Sequence, residues 1–208
     1  ILPYTPFAKT LAQQAHRRGH GVMLHARMAN DHGAKLGPGA LTADMSATQL
    51  QQVLADALHS VPFVTGVNNH MGSLLTRRHD SMRAVMQGLS SHGLFFVDSL
   101  TSADSVALQQ ALAQRLPALR RDVFLDHNIN RTAIRRQFER AVELAQQRGY
   151  AVLIGHPYPE SLKVLEQELP KLVQRGVMLQ RVDQFLQQRL WQRWPSSARR
   201  SRYQLQIR

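Results

Sequence analysis

Histidine and aspartate side chains follow several short apolar runs in this sequence, at the points where the predicted strands end. The residues concerned are His25, His70, Asp98, Asp122, Asp126 and His156. In a parallel sheet the carboxyl ends of the strands meet at one edge, so these side chains are predicted to lie on a single rim. Imidazoles and carboxylates bind Zn²⁺, which lowers the pKa of bound water towards about 7, and a second histidine–carboxylate set can transfer protons. These residue types favour a hydrolytic site.

The stretch richest in polar groups is residues 66–73, Gly-Val-Asn-Asn-His-Met-Gly-Ser, which separates an apolar run at 62–65 from a helical pattern at 80–91. Amides, an imidazole and a hydroxyl offer no packing advantage at the end of a strand, because a buried polar group without a partner costs about 1–3 kcal/mol. The stretch is therefore interpreted as functional residues at the end of a strand. A polar turn with one solvated histidine is the alternative interpretation.

Composition limits the classes of protein to which the chain can belong. Its 208 residues are 43% hydrophobic and 19% charged, which is typical of one folded domain. The chain has no cysteine, so any metal must be held by His, Asp, Glu and water. No apolar run reaches the length of about 18 residues that predicts a membrane span. Residues 1–3 resemble the end of a strand, so we expect that a segment precedes them.

The net charge of +12 is unevenly distributed along the chain. Residues 189–208 contain six arginines and no acidic residue, so they carry half of the excess charge. Their mixture of arginine, tryptophan and small polar residues has no helical or strand period, which predicts a basic, disordered tail after a folded domain at residues 1–188. Such an arm can bind nucleic acid or an anionic membrane surface, but no groove-reading motif accompanies it, so no specific nucleic-acid partner is expected.

Apolar runs alternate with helical patterns along the whole chain. Strands are predicted at residues 22–24, 62–65, 94–97, 117–121, 150–154 and 177–182, with helices between them. A long glycine-containing loop at residues 31–44 is a candidate active-site flap. This order implies parallel strands joined by right-handed crossovers. The predicted architecture is a doubly wound sheet or an incomplete (β/α) barrel.

Several sequence motifs resemble those of the divergent polysaccharide deacetylase family. They are Gly-His-Gly-Val-Met-Leu-His-Ala-Arg-Met at residues 19–28, Gly-Val-Asn-Asn-His-Met-Gly-Ser at 66–73, Phe-Phe-Val-Asp-Ser at 95–99, Arg-Asp-Val-Phe-Leu-Asp at 121–126 and Ile-Gly-His-Pro-Tyr-Pro at 154–159. The resemblance covers residues 1–185 in the family's order. It implies a distorted (β/α) barrel of the NodB-homology type and metal-assisted removal of acetyl groups from an N-acetylated glycan. It also implies a periplasmic or secreted protein.

The chain departs from this family pattern at positions that concern the site. The family's motifs begin with a strand that ends in two aspartates, and residues 1–208 start after it, so a metal ligand and a general base of the family have no counterpart in them. Gly21 stands where the family commonly has glutamate, and Arg27 where it commonly has proline. Ala29 stands where the wider superfamily has a second histidine, and His70 is the expected replacement for that ligand.

The resemblance assigns metal and substrate roles to residues of the rim. His25 and His70 are predicted to bind a divalent metal, zinc by preference, together with an upstream aspartate. The residues predicted to contact the glycan substrate or its oxyanion are Asn68, Asn69, Ser73 and Asp122.

Proton transfer is assigned to His156, Asp98 and Asp126. Asp98 is predicted to position His156 so that this imidazole protonates the leaving amine, and Asp126 is the further catalytic candidate. A catalytically impaired glycan-binding or cell-envelope scaffold is the alternative function, and a nucleic-acid-binding protein that uses the basic tail is a third. Metal content distinguishes the first two functions, and salt-dependent DNA retention by the tail would favour the third.

Overall fold

The computed structural model describes residues 1–192, which form a parallel α/β fold. Along the chain the elements are α1 (Ala8–Arg17), β1 (Val22–Met28), α2 (Ala47–Ser60), β2 (Val64–Met71), α3 (His79–Ser91), β3 (Phe95–Asp98), α4 (Ala107–Ala113), β4 (Ala118–Arg120), β5 (Val123–Phe124), α5 (Arg131–Arg148), β6 (Leu153–Ile154), α6 (Pro159–Glu168) and α7 (Val182–Gln192). The predicted alternation of strands and helices is confirmed for most of the chain.

The strands lie in two parallel sheets. One has the order β1-β2-β3-β4, and the other pairs β5 with β6. In the first sheet His25 lies opposite Asn68 and Arg27 lies opposite His70, which sets polar residues of β1 beside polar residues of β2. The parallel α/β class is confirmed, whereas closure of these strands into a barrel stays a prediction.

A large apolar core supports the four-stranded sheet. Leu24, Val67 and Phe96 of the strands are fully buried, together with Leu54 of α2 and Met82 of α3. Helix α2 begins with a reciprocal capping box between Ser46 and Gln49, which satisfies backbone donors at its first turn. One face of the sheet thus packs against the core, and the opposite face can carry polar residues.

Gly66, the first residue of the polar stretch, has a structural reason for its identity. A Cβ built on this residue would lie 2.3 Å from the ring of Phe95 on the neighbouring strand, closer than real side chains approach. Only glycine lets the Phe95 ring cross β2 here. Part of the motif is therefore explained by packing alone.

Three strand predictions differ from the structure, and two of them concern the site. β1 continues to Met28 and β2 to Met71, so His25 lies in the middle of a strand and residues 66–71 are strand, not loop. The predicted strand at residues 177–182 is absent, since α7 begins at Val182 and the preceding segment has no regular structure. Met178 and Leu179 are 84% and 77% exposed, and no strand among residues 1–192 pairs with them.

The predicted boundary between domain and tail at residue 188 falls inside α7. Arg189 lies over the ring of Tyr150, with its guanidinium carbon 4.6 Å from the ring centroid. Residues 193–208 lie outside the described part of the chain, so the disordered tail stays a prediction. Among the described helices, none combines the length and the apolar composition needed to cross a membrane.

Candidate functional site

One side of β1 and β2 carries four polar residues, and we call it the polar face. Side chains alternate along a strand, so His25 and Arg27 leave β1 on the same side, beside Asn68 and His70 of β2. The intervening residues of β1, among them Leu24 and Ala26, point into the core. The polar face therefore follows directly from the parallel register of two well-packed strands.

His25 and His70 meet across the two strands. His25 Nε2 lies 3.1 Å from His70 Nδ1, and the ring centroids are 4.8 Å apart at an interplanar angle of 70°. The predicted approach of the two imidazoles is confirmed. The other nitrogen of His25, Nδ1, is buried and has no hydrogen-bond partner among the described residues.

Both imidazoles of this pair favour the neutral form. Burial, followed by the nearby His70, lowers the pKa of His25 to about 4. Burial also lowers the pKa of His70, and the positive charges of Arg27 and of protonated His156 add to this effect. Near neutral pH the pair therefore offers ring nitrogens with free lone pairs, which is the state that a metal ligand requires.

A third histidine, His156, is held by Asp126 just beyond the ends of β5 and β6. Asp126 Oδ1 accepts from His156 Nδ1 at 2.9 Å, and Asp126 Oδ2 accepts from the His156 backbone N–H at 2.5 Å and from Ser161 Oγ at 2.9 Å. Asp126 is buried, whereas the His156 side chain is 45% exposed. This His156–Asp126 dyad thus presents its Nε2 to solvent, with the tautomer and ring orientation fixed from behind.

Gly155 permits this dyad to form. A Cβ on Gly155 would lie 3.1 Å from the Leu125 side chain and 3.2 Å from Asp126 Oδ2, tighter than most real contacts. The close approach of the segment after β6 to the segment after β5 brings the His156 backbone onto the Asp126 carboxylate.

The predicted pairing of Asp98 with His156 is wrong. Asp98 is fully buried at the end of β3, where Oδ1 accepts from the Leu100 N–H at 2.8 Å and Oδ2 accepts from Ser105 Oγ at 2.9 Å. Its carboxylate organises the loop between β3 and α4. The correct partner of His156 is Asp126, which the parallel pairing of β5 with β6 brings beside it.

The structure gives mixed positions to the residues predicted to bind substrate. Asn68 belongs to the polar face and donates to Ser99 Oγ at 3.1 Å. Asn69 points the other way, is buried, accepts from the Ser99 N–H and donates to the Met71 carbonyl, so it joins β2 to the segment after β3. Ser73 Oγ accepts from the Asp31 N–H and holds the start of the 31–44 loop.

Asp122 is not brought to the polar face. Its Oδ2 accepts from the Val152 N–H at 2.8 Å and its Oδ1 lies 3.3 Å from Arg148 Nη1. These contacts join β5 to the strand that follows α5 and leave the carboxylate with structural partners.

A chain of contacts joins the polar face to the dyad. Arg121 donates from Nε to the Ser99 carbonyl at 2.7 Å and lies over Phe124, whose ring centroid is 5.5 Å from that of His156. Since Asn68 also contacts Ser99, both regions share one neighbourhood. Sequence reasoning missed Arg121 and Arg27 as site residues, although the period of two from His25 would have placed Arg27 on the same side of the strand.

The histidine pair supplies part of a metal-binding set. Its two facing nitrogens can both reach one ion at bond lengths of about 2.0–2.1 Å. Among residues 1–192 no third His, Asp or Glu joins them in a metal-binding group. The residues therefore fit two positions of a zinc shell, and water or groups outside the described residues would have to fill the others.

A cavity of about 760 Å³ lies between β6, α5 and α6. His156 and Pro157 reach its rim, but its walls are mainly apolar, with Leu125, Phe138 and Leu165 among them. Such walls offer few hydrogen-bond partners to a sugar, so the polar face and the dyad remain the better candidates.

Comparisons with known proteins identify the family of this chain and support its fold. The sequence pattern of the divergent polysaccharide deacetylase family matches residues 1–186. The uncharacterized protein YibQ of Escherichia coli K12 is 38% identical over 167 residues, which are 80% of this chain and 52% of YibQ. An uncharacterized protein of Haemophilus influenzae is 36% identical over 172 residues, which are 83% of this chain and 61% of that protein. The chain thus spans between half and two thirds of these relatives.

A solved structure shares the fold. The crystal structure of an uncharacterized protein from Agrobacterium tumefaciens C58 superposes with a TM-score of 0.81 at 25% sequence identity, over 88% of this chain and 76% of that one. The α/β fold of this chain is therefore also found in an experimentally determined structure.

Proposed function

Because this chain belongs to the divergent polysaccharide deacetylase family, we propose that it hydrolyses the acetyl group of an N-acetylated glycan with the help of a divalent metal. One observation supports this proposal above the others: a pair of neutral imidazoles lies next to a second imidazole that a buried carboxylate orients. Amide hydrolysis needs an activated water and a proton donor for the leaving amine, and these two groups have the chemistry for each task.

His25 and His70 would hold the metal, and zinc is the ion best suited to two imidazoles without thiolates. When bound, such an ion polarises the carbonyl and lowers the pKa of a water molecule. The two rings are held by the register of β1 against β2, so their separation does not depend on the ion. Their preference for the neutral form means that few protons must be displaced at neutral pH.

His156 would deliver the proton to the leaving nitrogen. Its Nδ1–H donates to Asp126, so the proton that can be exchanged sits on the half-exposed Nε2. Asp126 also accepts from Ser161 and from the His156 backbone, so it cannot rotate away. Asn68, with its amide nitrogen held by Ser99, would present its carbonyl oxygen to a substrate hydroxyl or amide.

A catalytically impaired glycan-binding protein is the second candidate function. His25 Nδ1 has no partner among the described residues, whereas a zinc-binding histidine usually donates its second nitrogen to a carboxylate or carbonyl. The two-ligand set points in the same direction. In that case the polar face would bind the glycan without turnover.

The family resemblance also leads us to propose a periplasmic or secreted location and a distorted barrel as the architecture of the intact protein. The two parallel sheets follow each other closely, since β4 ends at Arg120 and β5 begins at Val123. Such a break is compatible with a barrel that is irregular at this point.

The test is release of acetate from N-acetylchitotetraose by the intact protein, followed by proton NMR with zinc added and after chelation. We expect His70→Ala to abolish zinc-dependent release. The matched control is His59→Ala, because His59 is exposed on α2 and contacts only its own helix. Binding of the tetrasaccharide without any acetate release would exclude the hydrolase and support the second candidate.

A further inference from the structure

Arg27 is a buried cation without an acidic partner. Its side chain belongs to the polar face, the residue is only 8% exposed, and none of the carboxylates in residues 1–192 forms a salt bridge with it. Charged residues are rarely buried to this extent unless they are paired. The structure therefore raises the question of what neutralises this guanidinium.

Only one nitrogen of the guanidinium is used by the protein. Arg27 Nη1 donates to the Pro3 carbonyl at 2.7 Å and to the Pro38 carbonyl at 3.0 Å. Arg27 Nε and Nη2 form no hydrogen bond with the described residues. Among those residues the side-chain atoms that are both sealed from solvent and unpartnered are His25 Nδ1 and Arg120 Nε. Because the two Arg27 atoms are not in this group, solvent can reach them. These two atoms form the edge on which arginine binds a carboxylate or phosphate through two parallel hydrogen bonds.

The position of Arg27 places that edge at the candidate site. Arg27 is the register partner of His70 and lies two residues from His25 on the same side of β1. Gly37 of the 31–44 loop approaches the guanidinium so closely that a Cβ there would lie 3.5 Å from Arg27 Nε. The 31–44 loop and the histidine pair thus flank the guanidinium, and a group bound to it would lie beside the two imidazoles.

The charges around the polar face favour an anion. Arg121 is bonded through Nε and Nη2 to the Ser99 and Leu100 carbonyls, and the carboxylates of Asp31, Asp98 and Asp126 already have hydrogen-bond partners within the protein. The net charge of +12 also attracts anionic polymers over long distances. A neutral glycan would use neither feature.

We propose that Arg27 binds an oxyanion, a carboxylate or a phosphate, carried by the glycan next to its acetylated sugar. This inference rests on the proposed function for the identity of the ligand as a glycan. It makes the protein selective for acidic glycans, and the selectivity comes from Arg27 on the polar face.

The experiment compares binding of two tetrasaccharides to the intact protein by calorimetry at physiological salt. One is neutral N-acetylchitotetraose, and the other alternates N-acetylglucosamine with glucuronate. We expect the acidic sugar to bind about 10-fold to 100-fold more tightly, the usual worth of a charge-assisted bidentate contact. Arg27→Met should remove this preference, whereas the control Arg83→Met, on the exposed side of α3, should keep it. Equal affinities in the wild type, or a preference that survives Arg27→Met, would overturn the proposal.

Arg27→Met also removes the hydrogen bonds to the Pro3 and Pro38 carbonyls, so a second measurement uses the wild-type side chain. In the wild-type protein, acetate and inorganic phosphate are titrated separately while the arginine Nε–Hε signals are followed by NMR, with the Arg27 signal assigned from Arg27→Lys. A shift with acetate identifies a carboxylate site and a shift with phosphate a phosphate site. If neither ion moves the signal, Arg27 only joins the segments of Pro3 and Pro38, and the proposal is wrong. These readouts need no turnover. Anion binding can therefore be detected even if the protein does not deacetylate, and deacetylation can be detected even if Arg27 binds no anion.

Discussion

The two histidine groups differ in how fully the protein has satisfied them. In the His156–Asp126 dyad every carboxylate oxygen accepts a hydrogen bond, and only His156 Nε2 is left open. In the pair formed by His25 and His70 the nearest partner of each ring is the other ring, and His25 Nδ1 has no partner among the described residues. The hydrogen bonds of the dyad are therefore satisfied within the protein. The histidine pair, in contrast, has a ring nitrogen for which the described residues supply no partner.

The protein alone fixes the orientation of the dyad, whereas the histidine pair has room for a bound ligand. A buried carboxylate can fix an imidazole because the two groups directly follow the paired strands β5 and β6 and Gly155 lets them approach. In the neutral state one of these imidazoles can donate a hydrogen bond to the other, and desolvation makes protonation of either ring costly. The pair is thus maintained by the strand register and is suited to an electron-pair acceptor such as a metal ion.

The largest effect is expected from removing the imidazole of the dyad. His156→Ala in the intact protein should lower turnover on an acetylated glycan by a factor of about 10²–10⁴, the usual worth of a general acid. The free energy of unfolding should hardly change, because the His156 side chain is 45% exposed and Asp126 keeps two of its donors. Steady-state rates and denaturant titrations measure both quantities. Early unfolding with unchanged activity per folded molecule would make His156 a structural residue.

Removing the carboxylate of the dyad should instead cost stability. Asp126→Ala leaves the His156 N–H, the His156 ring and Ser161 without their acceptor. We expect the free energy of unfolding to fall by roughly 3–5 kcal/mol, together with loss of activity. Ser161→Ala is the matched control, since it removes a single hydrogen bond and should cost only about 1 kcal/mol. Equal losses in the two variants would show that the carboxylate does not hold the dyad together.

How far the sequence predicts the site depends on whether contacts are local. The strand–helix alternation and the approach of His25 to His70 follow from hydrophobic period and parallel pairing, and both are confirmed. The partner of His156 was not predictable in this way, because Asp98 and Asp126 both follow apolar runs. Only the division of the strands into two sheets decides between them.

The misplaced strand ends have a similar physical cause. Polar residues in the second half of β1 and β2 suggested loops, but every second one lies on the polar face, and backbone pairing continues to Met28 and Met71. At residues 177–182 the apolar sequence predicted a strand, yet a strand needs a neighbour to satisfy its backbone, and none is present among residues 1–192. The local sequence pattern shows which residues are apolar, but it does not show whether a neighbouring strand is available for backbone pairing.

The histidine pair should make the protein sensitive to acid. The pKa of His25 is lowered from an ordinary 6.5 to about 4, so the unfolded chain binds a proton more readily than the folded one between these values. The stability associated with neutral His25 is therefore complete above about pH 6.5 and is lost as the pH falls towards 4. We expect a loss on the order of 3 kcal/mol, since each pKa unit corresponds to about 1.4 kcal/mol. His25→Asn should flatten this part of the stability profile in urea titrations, whereas the exposed control His59→Asn should leave the profile unchanged.

The smallest effect is expected when zinc is added to the 208-residue chain. Only two of its described side chains can share an ion, so the metal should bind with a dissociation constant weaker than about 100 μM, far from the affinity of a four-ligand structural site. At about 100 μM zinc, mass action then stabilises the folded state by no more than about 0.4 kcal/mol, a shift of roughly 1–2 °C in Tm. Differential scanning calorimetry with and without His25→Ala and His70→Ala measures this shift. A rise of several degrees that both substitutions remove would mean that a further ligand completes the shell, and the contrast between a complete dyad and an incomplete pair would no longer hold.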